Sequence, residues 1–149
     1  MNVFAAANVD RVVAGADLTN PDFEGYLVKK SAWLGEWRKR YFVLKGTKLY
    51  YAKNRGEAPH GVIDLKGCFS LKSAEDAAKK PNCFEIGVPD GTYYMYAETE
   101  REKDDWMSKI GEFLTVFAVR AHELTRLVLA WEQGSPRRKL VTLTSTTGR

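Results

Sequence analysis

Between residues 23 and 53 apolar and polar positions alternate in three short runs, and in each run a cation shares parity with the apolar residues. In Gly25-Tyr26-Leu27-Val28-Lys29-Lys30, Lys29 falls with Leu27. In Arg38-Lys39-Arg40-Tyr41-Phe42-Val43-Leu44, Arg38 and Arg40 fall with Phe42 and Leu44, and further on Leu49, Tyr51 and Lys53 share one parity. Residues of one parity line one face of a strand. Three consecutive antiparallel strands would gather the apolar residues at one end and the cations at the other. The pattern therefore predicts a closed or half-closed sheet with an apolar interior and a cationic mouth suited to anions.

The same periodicity continues in short segments. Strands are predicted at 23–30, 38–45, 48–53, 61–65, 68–73, 82–88 and 92–98, seven in all. Asn20-Pro21-Asp22 is a turn signal ahead of the first, Gly46 suits a tight hairpin, and Pro89-Asp90-Gly91 suits another. The stretch from Lys72 to Pro81 reads as a polar loop with room for a short helical turn. The period then changes: Trp106, Ile110, Phe113, Leu114 and Phe117 recur at spacings of three and four, an amphipathic helix able to plug one end of the sheet. Thr99 followed by Glu102 forms a capping box at its start, and Glu100, Asp104 and Asp105 suit the positive end of its dipole. Beyond Phe117 the apolar spacing runs on through Ala121, Leu124, Val128 and Trp131, until Gly134 and Pro136 supply a stop. A helix from Thr99 to Gln133 would be about 50 Å long, more than one small barrel covers. The overhang could pair with another chain, fold back as a second short helix, or lie on a membrane.

Charge sharpens this picture. The 149-residue chain carries a formal net charge of only +4, yet residues 29 to 55 hold nine Lys or Arg against the single acid Glu36. The charge is a patch. With 44% apolar residues the chain can bury a core and form one domain with flanking arms. Cys68 and Cys83 make a poor disulfide framework, and the N-terminus lacks the basic start and long apolar core of a secretory signal, which points to a reducing, cytoplasmic setting. The apolar window from Phe113 to Trp131 is interrupted by Arg120, His122, Glu123 and Arg126, against a membrane span.

Catalysis is not expected. Only His60 and His122 are present, with no glycine-rich phosphate loop, no nucleophile elbow and no paired metal ligands, so neither a cofactor nor a metal is called for. The two cysteines lack companion ligands. Tyr50, Tyr51 and Trp33 do not make the stacking platform of a nucleic-acid-binding sheet.

Taken in order, Gly25-Tyr26-Leu27-Val28-Lys29-Lys30, Trp37-Arg38-Lys39-Arg40-Tyr41-Phe42-Val43-Leu44, Leu49-Tyr50-Tyr51, Gly61-Val62-Ile63-Asp64-Leu65, Asn82-Cys83-Phe84-Glu85-Ile86 and Glu102-Lys103-Asp104-Asp105-Trp106 resemble a pleckstrin homology (PH) domain from about Phe23 to Leu114. Within that family the chain is most similar to small single-domain proteins of the plant type, notably through Ala74-Glu75-Asp76 and Lys80-Pro81. The resemblance implies a mainly β fold with a C-terminal helix: a seven-stranded, partly open antiparallel barrel capped by one helix, here with a helical extension. The corresponding organisation is an N-terminal arm at 1–22, the PH domain at 23–117, the extension at 118–134 and a basic tail at 135–149.

The resemblance also implies binding of phosphoinositide headgroups at the open end of the barrel. The family's basic signature falls on Lys29, Arg38 and Arg40, with Tyr51 placed to donate a hydroxyl to a phosphate and Lys53 and His60 extending the same mouth. Arg forks onto phosphate oxygens while Lys acts as a point charge. The chain departs from the high-affinity pattern in the first loop, Ser31-Ala32-Trp33-Leu34-Gly35-Glu36, which carries no cation, and at His60, where some members have Arg. A singly or doubly phosphorylated headgroup, bound weakly, is the expectation.

Trp33-Leu34 reads either as a wedge entering the bilayer beside the headgroup or as a loop folded back onto the barrel. Burial of such side chains is worth roughly 1.5–3 kcal/mol each at full transfer. His60 is a plain loop residue or a position that strengthens membrane binding in acid. The tail Arg137-Arg138-Lys139 could add attraction to an anionic leaflet. The reading is a peripheral protein of endosomal or plasma membranes that acts as a phosphoinositide-binding targeting module or adaptor. The alternative is a protein-interaction module, docking a partner or self-associating through residues 118–134.

Overall fold

The computed structural model describes residues 15–134, apart from the side chains of residues 117–119 and 121. Seven strands occur: β1 (Phe23–Lys30), β2 (Trp37–Lys45), β3 (Lys48–Ala52), β4 (Gly61–Asp64), β5 (Ser70–Ser73), β6 (Cys83–Val88) and β7 (Gly91–Tyr96). A four-residue helix α1 (Glu75–Ala78) lies in the polar loop before β6, and α2 (Glu100–Gly134) follows β7. The strands form one antiparallel sheet in the order β4-β3-β2-β1-β7-β6-β5. The first strand is therefore central. It pairs along its whole length with β2 but with β7 only at Val28–Tyr96 and Lys29–Met95, and the end strands β4 and β5 are not paired with each other, which leaves the barrel open at that side.

Local chemistry explains the turns. Gly46 at φ 59° lets Lys45 and Lys48 pair across two residues, and its N–H donates to Asp22 Oδ2 at 2.7 Å. Seven expected strand ends move by one or two residues, and for three of them the local chemistry is plain. β3 stops at Ala52, so Lys53 lies in the bend after it. A turn closed by Cys68 N–H donating to Leu65 O, with Gly67 at φ 73°, keeps Cys68 out of β5. β7 ends at Tyr96 because Asn82 Nδ2 takes the Glu98 carbonyl and Thr99 turns to cap α2. The capping box forms as expected: Glu102 N–H donates to Thr99 Oγ1 at 3.2 Å and Thr99 N–H to Glu102 Oε2 at 3.4 Å.

The chain divides into two units, Met1–Leu114 and Thr115–Arg149. In the first, the inner face of the sheet supplies Leu27, Phe42, Leu44, Leu49, Ile63, Phe84, Ile86 and Met95, and α2 supplies Trp106 and Ile110. Trp106 meets Phe23 edge-on at 4.7 Å and Phe42 at 6.3 Å. Its indole also lies on Gly25, where a Cβ would come within 3.6 Å of Cζ2. Lys103 on α2 is the one buried charge among the described residues; it pairs at 2.9 Å with Glu75 of α1. A second, smaller cluster occupies the outer face: Tyr41, Val43 and Tyr50, covered by Ala16 and Leu18 of the N-terminal arm. That part of the arm is packed.

In the second unit, residues 115–134 are helical, within the bounds of α2. The packing expected of Phe117, the arm before residue 15 and the basic tail lie outside the described residues.

Candidate functional site

The register of β1 on β2 sets Lys29 directly opposite Arg38 and Leu27 opposite Arg40. Residues facing each other across an antiparallel pair share a face, so all three cations stand on the inner face, beyond the buried Leu27. β3 then brings Tyr51 beside Phe42, and β4 starts with Gly61 opposite Tyr51. Together Lys29, Ser31, Ala32, Trp33, Arg38, Arg40, Tyr51 and His60 line a cleft of about 300 Å³ at the open end of the barrel.

Aromatic rings hold the central cation. Lys29 Nζ lies 5.2 Å from the centroid of Tyr51 and 5.3 Å from that of Tyr93, with Lys30 O accepting at 3.2 Å. Partial burial, and secondarily the like charge of Arg40, hold the Lys29 ammonium below its usual range. Its charge is thus poorly compensated, a state that an entering anion relieves. Burial, followed by Tyr93, pushes the Tyr51 phenol up while Arg40 pulls it back. It stays protonated at neutral pH and able to donate. Tyr51 and His60 meet edge-on at 5.2 Å. His60 is exposed by area, yet partial desolvation of its ring is the largest influence on it, followed by Arg40, Lys53 and Lys29, and holds it below its usual value.

Six of the sequence candidates are thus brought together, namely Lys29, Trp33, Arg38, Arg40, Tyr51 and His60. Lys53 does not line the cleft; it acts on it through its charge at His60. Leu34 stands next to the cleft on the loop, 57% exposed, and Trp33 is 77% exposed, so neither is folded into the barrel. Ser31 N–H donates to Glu36 O at 2.7 Å and Gly35 N–H to Ser31 O at 3.1 Å, closing the loop that presents them. Sequence reasoning missed two contributors. Tyr93 shares parity with the buried Met95 and could have been placed inside on that signal. Gly61, which makes room for the Tyr51 ring, has no signature beyond being a glycine.

A larger hollow of about 750 Å³ lies on the outer face, floored by Tyr41, Val43 and Tyr50 beneath the arm. Its guanidinium, Arg55, is 3.6 Å from Glu24. It lacks the converging cations of the smaller cleft. No helix among the described residues is long and apolar enough to cross a membrane.

A model of the PH domain family matches residues 21–115. Pleckstrin homology domain-containing protein 1 of Arabidopsis thaliana is 38% identical over 99 residues, covering 62% of this chain and 68% of that protein. The RAC family serine/threonine-protein kinase homolog of Dictyostelium discoideum is 41% identical over 85 residues, 56% of this chain but only 19% of the kinase. Among solved structures, the C-terminal PH domain of pleckstrin in complex with D-myo-Ins(1,2,3,4,5)P5 is similar at 32% identity and a TM-score of 0.52, covering 60% of this chain and 94% of that one.

Proposed function

Because the chain belongs to the PH domain family, and because Lys29, Arg38, Arg40, Tyr51 and His60 line one cleft, we propose that it is a phosphoinositide-binding targeting module or adaptor. The convergence of three cations on that cleft carries the reading. Each phosphate of an inositol headgroup offers several anionic oxygens, which suits two guanidiniums for forked contacts, an ammonium for point charge and a phenol for a neutral donor. That two solved relatives are complexes of the pleckstrin C-terminal domain with inositol pentakisphosphates supports an inositol phosphate as the ligand class. The loop from Ser31 to Glu36 adds no cation, which favours a headgroup with one or two phosphates over a heavily phosphorylated one. Exposed Trp33 and Leu34 beside the mouth support partial insertion into the bilayer around the headgroup. The role is that of a binding module at the cytoplasmic face of endosomal or plasma membranes.

Sedimentation with phosphatidylcholine vesicles containing a phosphatidylinositol bisphosphate tests this. An Arg38→Ala/Arg40→Ala protein should lose vesicle binding while keeping the parent's circular dichroism and melting temperature. Unchanged binding would remove the cleft from the function.

A second reading has its own observation. On α2, Leu124, Leu127, Val128 and Trp131 are 63%, 66%, 56% and 66% exposed, at spacings of three, one and three. Such a stripe supports self-association or partner docking through residues 118–134. Sedimentation equilibrium of the full chain and a Leu124→Glu/Val128→Glu variant would decide it, since a dimer broken by the variant favours this reading and a monomeric parent ends self-association.

A further inference from the structure

Glu36 is the only acid between residues 29 and 55, and it is in contact with the site. It precedes Arg38 by two residues, so the two side chains share a face where the chain enters β2. Arg38 donates to Glu36 Oε2 twice, from Nε at 3.2 Å and from Nη2 at 2.6 Å. Those two N–H groups form one edge of the guanidinium, the kind of fork with which an arginine grips a phosphate. The Glu36 carbonyl is held by Ser31 N–H at 2.7 Å, so the closed loop delivers the carboxylate to that edge. Arg40 differs: it donates from Nη1 to the Lys39 carbonyl at 2.8 Å, and it has no ion pair among the described residues.

We infer that Glu36 is a built-in competitor for the phosphate at Arg38. This rests on the headgroup reading of the cleft. In the free protein the carboxylate occupies the Arg38 fork; an arriving phosphate takes the same two N–H groups and turns Glu36 out into solvent. The pair is half exposed on both sides, so the exchange needs no opening of the core. Once displaced, the carboxylate remains within a Debye length of the bound phosphate, about 8–10 Å at moderate salt, and repels it. Glu36 thereby lowers the affinity of the cleft and raises the density of headgroup needed for recruitment.

The test is a double-mutant cycle on phosphatidylcholine vesicles carrying a phosphatidylinositol bisphosphate, with Arg40→Ala as the control for the cleft. Glu36→Gln should tighten binding about three- to tenfold at low ionic strength, within reach of an exposed ion pair plus a relieved repulsion. In an Arg38→Ala background the same substitution should bring a clearly smaller gain, that of the relieved repulsion alone, because there is no fork left to compete for. An equal gain in both backgrounds would show a general effect of net charge and overturn the competitor role. Binding that depends on Arg40 but is indifferent to Glu36→Gln would overturn the role and leave the headgroup reading intact. Binding indifferent to Arg40→Ala would overturn both.

Discussion

Tyr51 lies across Gly61 so closely that a Cβ on Gly61 would stand 2.0 Å from Tyr51 Cζ and 2.3 Å from its hydroxyl oxygen. The absent side chain is what lets the phenol cover the mouth, with Phe42 on one side at 5.5 Å and Lys29 on the other. Gly61→Ala should therefore swing the ring out of place, costing about 1–3 kcal/mol of stability as overpacking does and weakening vesicle binding. In a Tyr51→Ala background the Gly61→Ala cost should largely vanish, since the clash has one partner. Urea denaturation of the four proteins checks this; additive costs would show that the backbone, not the ring, resists the methyl.

In the proposed function Lys29 would serve binding at the expense of stability. Its proton is held less tightly in the folded protein than in the unfolded chain, so between neutrality and the usual lysine range the unfolded state binds more protons and stability rises with pH. At neutral pH the charged side chain is therefore a liability. Lys29→Met keeps a similar stem between Tyr51 and Tyr93 and removes the charge. It should melt at the parent's temperature or above it while losing at least about tenfold in vesicle affinity, equivalent to ~1.4 kcal/mol. A lower melting temperature with unchanged binding would contradict the placement of this ammonium in the site.

His60 should make the binding sensitive to acid. In the free protein it titrates below the usual 6.5, through partial desolvation first and then Arg40, Lys53 and Lys29, with Glu57 opposing. A bound phosphate favours the protonated ring, so its affinity for the proton is higher in the complex. Binding then strengthens as pH falls through the complex's value and levels off below that of the free protein. The headgroup phosphate itself gains a proton near pH ~6 and opposes this. The His60 contribution is accordingly read as the difference between parent and His60→Asn, which should widen from pH ~7.5 to ~5.5. A constant difference would make His60 a bystander. In the free protein the sign is reversed: the depressed value makes His60 lower stability as pH falls through about 6.5, which His60→Asn should relieve.

The exposed pair Trp33 and Leu34 separates insertion from headgroup recognition. A Trp33→Ala/Leu34→Ala protein should bind soluble inositol bisphosphate within about twofold of the parent, because neither side chain can form a salt bridge with phosphate. Its vesicle affinity should fall by about tenfold or more, since even part of the ~1.5–3 kcal/mol of transfer energy per side chain is then lost. The gap between parent and variant should persist at high salt, where the Arg and Lys contribution is screened. Equal vesicle binding at low and high salt would leave electrostatics alone to hold the protein at its membrane.

Strand parity alone placed Lys29, Arg38 and Arg40 on one inner face, because alternation on a strand has a period of two and cannot be satisfied any other way once Leu27, Phe42 and Leu44 are buried. The helix was equally legible: Trp106 and Ile110 recur at helical spacing, and Thr99 with Glu102 marked its start within a residue. What the chain could not reveal were contacts between segments far apart in sequence. The Tyr51 ring needs the missing Cβ of Gly61, ten residues on, and Lys29 rests on Tyr93, more than sixty residues away. Ala16 and Leu18 cover an outer face whose Tyr41 and Tyr50 have the opposite parity to the core residues, a contact no local pattern announces. Lys53 kept the parity of the site but fell outside the cleft, because β3 ends one residue earlier and the chain bends away. Local pattern thus determined which residues face inward. Only the tertiary structure decided which of them meet, since register between strands and the course of a loop depend on packing summed over the whole sheet.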